Sequence, residues 1–331
     1  MPDLIEVNAN MPQSLHFVWF GGPIPGAGAA HDYLENIRTV AINAASHQVF
    51  VWLSPQFSTN PHVYTQNRQW CEGTGNVTPR DVTDPGDLVL KPTEIAALQL
   101  QWDTPERNYG AMSDIARVAI LAQHGGMYMD TDCSMTANPN PATIVLRYGF
   151  MTTKPRWDSV SFTNSIMASV AGGQFVTAFR DDIAAVYQTR VLEKDLADRV
   201  AAIRSRIRIS DDPVRRRGDI HDKTVMLAGP GRLNVTASRF TLPGGVRLYA
   251  YGNSDGWKDA NIQSCVIPYR SMPEMPEETN LAPFGNMHLE WHNSWLEAPP
   301  PVAPEAGGDD DGAGPADPLD AADEPALEAA V

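Results

Sequence analysis

An α/β fold is the expectation for this chain, and three stretches carry it. Leu15–Phe20 is a short apolar run closed by a Gly/Pro turn, and it reads as a buried first strand. A helix near His31–Ala44 and a strand near Gln48–Leu53 follow, giving a β-α-β start. Farther along, Tyr109–His124 carries Met112, Ile115, Ala116, Ala119, Ile120 and Gln123 at helical spacing. Gly125-Gly126 ends that helix, because glycine takes left-handed backbone angles without a Cβ penalty. A short strand, Met127-Tyr128-Met129, then runs into Asp130-Thr131-Asp132.

The remaining elements are read more coarsely. Residues 181–217 are expected to form an added helical element, with Ile183, Val186, Tyr187, Val191, Leu192, Leu196, Val200 and Ile203 at mixed three and four spacing. Its Arg204, Arg206, Arg208, Arg215, Arg216 and Arg217 are either a basic patch for an acidic acceptor or anionic surface, or a solvated helix face. From Ala298 to Val331, Pro, Ala, Gly and Asp dominate, so that tail is expected to be disordered. The folded body is therefore residues 1–297, long enough for one large α/β core.

Charge and cysteine content narrow the function. The net charge is -15, but nine acidic residues of the tail face no Lys or Arg, which leaves -6 on the body. That balance gives no sign of nucleic-acid binding. The three cysteines, Cys71, Cys133 and Cys265, lack metal spacing and suit a reducing compartment, with Cys133 a small buried residue. No apolar stretch reaches the ~20 residues of a membrane span, and no basic region followed by an apolar run opens the chain. The expectation is a protein cytoplasmic where it is made, or one exported as an effector without a Sec-type signal. No P-loop, Gly-x-Ser-x-Gly or His-Glu-x-x-His is present, and Gly229-Pro230-Gly231 lacks the third glycine of a dinucleotide site.

Two carboxylates one residue apart at a strand end can share a hard divalent cation. Mg²⁺ or Mn²⁺ prefers oxygen ligands and is often held by one or two carboxylates, with substrate phosphate completing the shell. An isolated Asp-x-Asp is commonly a solvated turn, so its context matters. Asp114 and Arg117, three residues apart, share a helix face with apolar neighbours. They are either a surface ion pair worth a few tenths of a kcal/mol or part of a ligand site.

The run Ser113-Asp114-Ile115-Ala116-Arg117 followed by Gly125–Asp132 resembles the sugar-binding DXD region of glycosyltransferase family 32 and the catalytic domain of the large clostridial glucosylating toxins. Two distant stretches share the resemblance: Leu15–Gly22 followed by Pro23-Ile24-Pro25, and His288–Trp295. It implies a GT-A, Rossmann-like fold, with a single mixed sheet flanked by helices over residues 1–297. It also implies a metal-dependent, retaining glycosyltransferase that uses a nucleotide sugar, UDP-sugar ahead of GDP-sugar, with Mn²⁺ or Mg²⁺.

Carried over by position, Trp19 would stack on the base, with Phe17 and Val18 beside it. Asp114 and Arg117 would bind the transferred sugar, Arg117 also lying near the phosphates. Tyr128, Asp130, Thr131 and Asn164 would line the donor pocket, and Asp132 would hold the metal. Ser294 and Trp295 would close over donor and metal, the indole N–H meeting the leaving phosphate. An additional metal ligand is either His292 or Glu290. Catalysis would rest on Asp114, Arg117, Asp130, Asp132 and Trp295. In the turn Leu227–Leu233, Ala228 stands where the family carries threonine, so any hydroxyl role there is lost.

The acceptor would be a glycan or a protein, for a monomeric enzyme with no membrane span. Among enzymes, a capsule or lipopolysaccharide transferase stands against a toxin-like effector that modifies a host protein. Outside enzymes, the alternative is a non-catalytic nucleotide-sugar or glycan-binding module on the same fold.

Overall fold

The computed structural model describes residues 1–29, 31–104, 107–135, 144–155, 162–199, 224–249, 266–269 and 287–289. In chain order the elements are β1 (Ala9–Asn10), β2 (Ser14–Val18), α1 (Tyr33–Asn43), β3 (Gln48–Leu53), α2 (Pro61–Glu72), β4 (Val77–Asp81), α3 (Pro92–Trp102) and α4 (Tyr109–His124). There follow β5 (Gly126–Met129), β6 (Cys133–Met135), β7 (Val145–Leu146), β8 (Phe150–Pro155), β9 (Thr163–Ser169) and α5 (Gln174–Arg199). The last are α6 (Pro230–Ala237), β10 (Thr241–Leu242), β11 (Val246–Arg247), β12 (Val266–Tyr269) and β13 (Met287–Leu289).

A seven-stranded sheet in the order β12-β8-β9-β5-β2-β3-β4 organises these elements. Strands β5, β2, β3 and β4 run parallel, while β9 is antiparallel to both β5 and β8. The sheet is therefore mixed, as expected, and three two-stranded pairs accompany it: β1 with β7, β10 with β11, and β13 with β6.

Alternation along the central strands explains the layering. Leu15, Phe17, Val49, Val51, Leu53, Met127 and Met129 enter one core with Ile37, Val40 and Ala41 of α1. Val18, Trp52 and Tyr128 face the opposite core with α4 residues such as Ile115, Val118 and Leu121. Successive strand residues point to opposite faces, so the central parallel strands, covered on both sides, are largely apolar. Each fully buried Leu, Val or Phe contributes about 1.5–3 kcal/mol by leaving water.

Helix ends follow local chemistry. Asp32 caps α1 by accepting from Glu35 N–H at 2.8 Å, and Asn60 caps α2 through Val63 N–H at 2.9 Å. Asn108 caps α4 through Ala111 N–H at 3.0 Å. Gly125, at φ +68°, ends α4, and Gly126, at φ +84°, opens β5. A Cβ on Gly126 would meet Ser14 Oγ and Ser14 O well inside contact distance, so the Gly-Gly step is needed for β5 to pass beside β2.

His16 secures that crossing. It is buried in β2, its Nε2 lies 3.0 Å from Gly125 O, and its Nδ1 accepts from Trp52 Nε1 at 3.1 Å. Burial lowers the ring's pKa to about 3, so it stays neutral with the proton on Nε2.

Two expectations are adjusted. The first strand stops at Val18, short of Phe20, because the chain turns at Gly21, which has φ +91°. The long helix starts at Gln174 instead of Asp181, since Phe175, Val176 and Phe179 extend the buried stripe of Ile183 and Tyr187 toward its N-terminus. It is described as far as Arg199, and the arginine-rich segment and the tail from 298 lie outside the described residues. Cys133 is buried, as expected. Among the described residues no helix is long and apolar enough to cross a membrane.

Candidate functional site

The C-terminal ends of β2 and β5 and the flank of α4 bring the predicted residues together. In open α/β sheets this edge is where ligands bind, outside the carboxyl ends of the strands. Strand β5 ends at Met129, and Asp130 N–H donates to Ser165 O at 2.9 Å, which ties the strand end to β9.

Arg117 is the hub. Its Nη2 lies 3.0 Å from Asp114 Oδ1 and 2.9 Å from Asp130 Oδ1. The Arg117 and Asp114 side chains are 5% and 6% exposed, which overturns the surface-pair alternative. The guanidinium also donates to Asn164 O at 2.7 Å and to Ser113 Oγ at 3.3 Å. Its Cζ sits 4.3 Å from the Tyr128 ring centroid, a cation–π contact. Arg117 is thus directed at protein groups.

Asp114 is held from the other side by Asn164, whose Nδ2 donates to Asp114 Oδ1 at 2.8 Å. Burial raises the pKa of Asp114 to about 7, against the opposing pull of Arg117. For Arg117, burial disfavours the charge, yet Asp130, Tyr128 and Asp114 together raise its pKa. A Cβ on Gly229, the N-cap of α6, would stand 3.0 Å from Asp114 Oδ2, so that glycine allows the close approach.

Tyr128 is buried, and its hydroxyl donates to Asp130 Oδ1 at 2.7 Å while meeting Ser113 Oγ at 2.9 Å. Burial lifts its pKa well above the ordinary value. It orients Asp130 instead of lining the pocket. Ser113 was absent from the predicted set, and its place one residue before Asp114 in the motif was the available signal. Asp130 is 28% exposed, Thr131 and Asp132 are half-buried, and Cys133 Sγ lies 4.0 Å from Asp132 Oδ1.

Around the end of β2, Trp19 is half-buried and its indole N–H donates to Gly22 O at 2.8 Å. Tyr33 lies beside it, ring centroids 5.7 Å apart. Phe17 and Val18, expected near the donor, send their side chains into opposite cores, so only their backbone lies near that edge. A Cβ on Gly21 would clash with the Tyr109 ring at 2.5 Å, and the buried Tyr109 hydroxyl has no hydrogen-bond partner among the described residues. Sequence reasoning had not singled out Tyr109.

Ser294, Trp295, His292 and Glu290 lie outside the described residues. The strand before them, β13, pairs antiparallel with β6, Leu289 opposite Cys133, directly after Asp132 in sequence. Among the described residues no group of three or more His, Cys, Asp or Glu gathers as a metal cluster. Asp130 and Asp132 nevertheless fit a hard cation that takes most of its ligands from phosphate and water.

The chain is similar to several known proteins. Over 192 residues the chain is 24% identical to Subversion of eukaryotic traffic protein A of Legionella pneumophila subsp. pneumophila, covering 55% of this chain and 26% of that protein. The chain thus spans about a quarter of that relative's length. Among solved structures, the PaToxG glycosyltransferase matches with a TM-score of 0.51 at 14% identity over 70% of each chain, which shows a shared GT-A-type fold. The catalytic domain of alpha-toxin from Clostridium novyi matches at a TM-score of 0.45 and 11% identity, over 69% of this chain and 72% of that one. A family model described as a glycosyltransferase sugar-binding region containing DXD motif matches residues 35–146, the stretch that holds Asp114, Arg117, Asp130 and Asp132. That segment of the chain is therefore similar to the DXD-containing glycosyltransferase sugar-binding regions.

Proposed function

We propose that this chain is a metal-dependent glycosyltransferase that moves a sugar from a nucleotide diphosphate donor, UDP-sugar ahead of GDP-sugar, to an acceptor hydroxyl. One observation carries the reading: the buried Asp114–Arg117 pair bound to the partly exposed Asp130 and beside the half-buried Asp132, at the carboxyl edge of the parallel strands β2 and β5, inside the matched region. Buried ionic groups are costly unless paired, so the buried Asp114 and Arg117, held together with Tyr128, Asn164 and the partly exposed Asp130, argue for a task beyond stability.

The division of labour follows from the hydrogen bonds. Arg117 fixes the spacing of Asp114 and Asp130 and keeps their negative charge bearable in a dry site. Asp114 has Oδ1 taken by Arg117 and Asn164. Its Oδ2, next to Gly229, is the atom we assign to a sugar hydroxyl. Asp130 has Oδ1 oriented by Arg117 and Tyr128, and together with Asp132 it faces the donor's diphosphate. Mg²⁺ or Mn²⁺, held by Asp132 and completed by His292 or Glu290 with Ser294, would supply positive charge for the departing diphosphate. Trp295 would add an indole N–H to the same charge, and Trp19 would stack on the base. Retention of anomeric configuration fits this arrangement: an Asp near the anomeric face can support oxocarbenium character, and the leaving phosphate oxygen can take the acceptor's proton.

For the acceptor, a protein of a host cell is favoured over a bacterial polysaccharide. The support is the similarity to a Legionella protein named for subversion of eukaryotic traffic. A screen of UDP- and GDP-sugars with added Mn²⁺ tests the function. Hydrolysis of one preferred donor is expected. Binding of a nucleotide sugar with no hydrolysis of any donor, and no transfer to lysate proteins, would favour a non-catalytic binding module.

A further inference from the structure

We infer that helix α1 sets the geometry of the Asp130–Cys133 turn through Asn36, which acts as a positioning residue for Asp132. The inference deepens the reading of this crevice as a metal and nucleotide-sugar site and rests on it.

Cys133 N–H donates to Asp130 O at 2.9 Å and closes a four-residue turn with Thr131 and Asp132 at its centre. The closing bond does not by itself fix the orientation of the central peptide, and a non-glycine residue at the third position, here Asp132, disfavours the flipped form without locking it out. Type I and type II turns share that bond and differ by a flip of this peptide, which reverses the carbonyl of the first central residue and resets φ of the second. Here those are Thr131 O and the backbone of Asp132. A flip would swing the Asp132 Cα–Cβ bond and re-aim its carboxylate.

Asn36 Nδ2 donates to Thr131 O at 3.0 Å. That bond holds the central carbonyl on the side of α1. Consistently, Asp132 is not among the described non-glycine residues with positive φ, which are Asn8 and Arg107, so the turn is not in its type II form. A bond from a side chain 95 positions away is a tertiary restraint on a local turn. The helix that supplies it is firm: Ile37, Val40 and Ala41 of α1 are buried against the sheet.

The same helix face braces the other wall of the crevice. Tyr33 lies three residues before Asn36, on one face of α1, with its ring 5.7 Å from that of Trp19. One rigid helix therefore supports both the aromatic expected against the base and the turn expected against the metal, so their separation is fixed by the fold. Neighbours that orient a ligating carboxylate commonly change metal affinity 10–100-fold when removed.

The test titrates Mn²⁺ into protein in the presence of UDP and reads free Mn²⁺ by its electron paramagnetic resonance signal, for wild type, Asn36→Ala, Asn36→Leu and Asp132→Asn. Asn36→Leu keeps the branching of the side chain while removing its donor and favours the helix, so it carries the measurement if the alanine variant melts early. Wild type is expected to bind Mn²⁺ with UDP, and Asp132→Asn to lose most of that binding. The Asn36 variants are expected to bind about 10-fold more weakly, with melting temperatures close to wild type. If wild type and Asp132→Asn bind alike, the metal reading fails and the inference fails with it. If Asp132→Asn loses binding while both Asn36 variants bind within about twofold of wild type, the inference alone is overturned.

Discussion

Replacing Arg117 with methionine tests the buried Asp114–Arg117 pair most severely. Methionine keeps much of the volume but removes the charge that spans Asp114 and Asp130, and with it the donor to Asn164 O. Removing one partner of a buried ion pair ordinarily costs about 3–5 kcal/mol, because the remaining charge is stranded. Two features place this site near the lower end. Asp130 is 28% exposed and can remain charged, while Asp114, with a pKa near 7, can take up a proton at little cost. A loss of about 3 kcal/mol corresponds to about 6–12 °C in melting temperature for a domain of this size.

The pH dependence has a definite sign. The Asp114 pKa is raised on folding, so its contribution is fully present below the unfolded value and is lost as pH rises through about 7. Arg117 opposes that rise, so without it the native Asp114 keeps its proton to higher pH and the loss continues past neutrality. The gap between wild type and Arg117→Met is therefore expected to widen between about pH 5.5 and about pH 8, followed by intrinsic tryptophan fluorescence during heating. Melting temperatures within about 2 °C of each other at both pH values would refute the buried-pair argument.

Glu94→Ala should destabilise the chain by a similar ~3–5 kcal/mol without changing donor affinity. Glu94 is buried and bonded by Arg180 at 2.5 and 2.7 Å, a pair that joins α3 to α5 away from the crevice; calorimetry and a donor-binding isotherm separate the two effects. Gly229→Ala would put a Cβ 3.0 Å from Asp114 Oδ2 and 3.0 Å from Thr224 O, so donor KM is expected to rise and the melting temperature to fall, and an unchanged KM would remove Oδ2 from the sugar contact. Trp19→Ala should weaken UDP binding about 5–150-fold, the equivalent of ~1–3 kcal/mol of base stacking, as read by isothermal titration. Equal affinity would mean that Trp19 only packs against Tyr33.

The parts of this architecture that the chain encodes locally were legible before the structure. Helix α4 and strand β3 have the expected bounds because their signals lie within the segment: an apolar stripe ended by Gly-Gly, and an apolar run between polar flanks. Asp114, Arg117 and Asn164 were expected in one site, and they meet there. Their burial was not legible, since an Asp and an Arg three apart read equally well as a surface pair until α4 is packed against the sheet. Tyr128 was expected to line a pocket; the alternation of β5 turns it into the α4 core, where it becomes a support for Asp130. The same alternation removes the Phe17 and Val18 side chains from the donor edge. The roles of Asn36, Tyr109 and His16 gave no local signal, because their partners Thr131, Gly21 and Gly125 come from distant parts of the chain.

The most direct measurement is donor hydrolysis by wild type and Asp132→Asn, with and without Mn²⁺, on the sugar nucleotide that the screen selects. Asp132 sits half-buried in a turn whose closing bond uses backbone atoms, so the amide should leave folding and melting temperature intact. Metal-dependent hydrolysis by wild type and its loss in a normally folded Asp132→Asn is the expected result. Undiminished hydrolysis in that variant would contradict the assignment of this turn as the centre of the reaction.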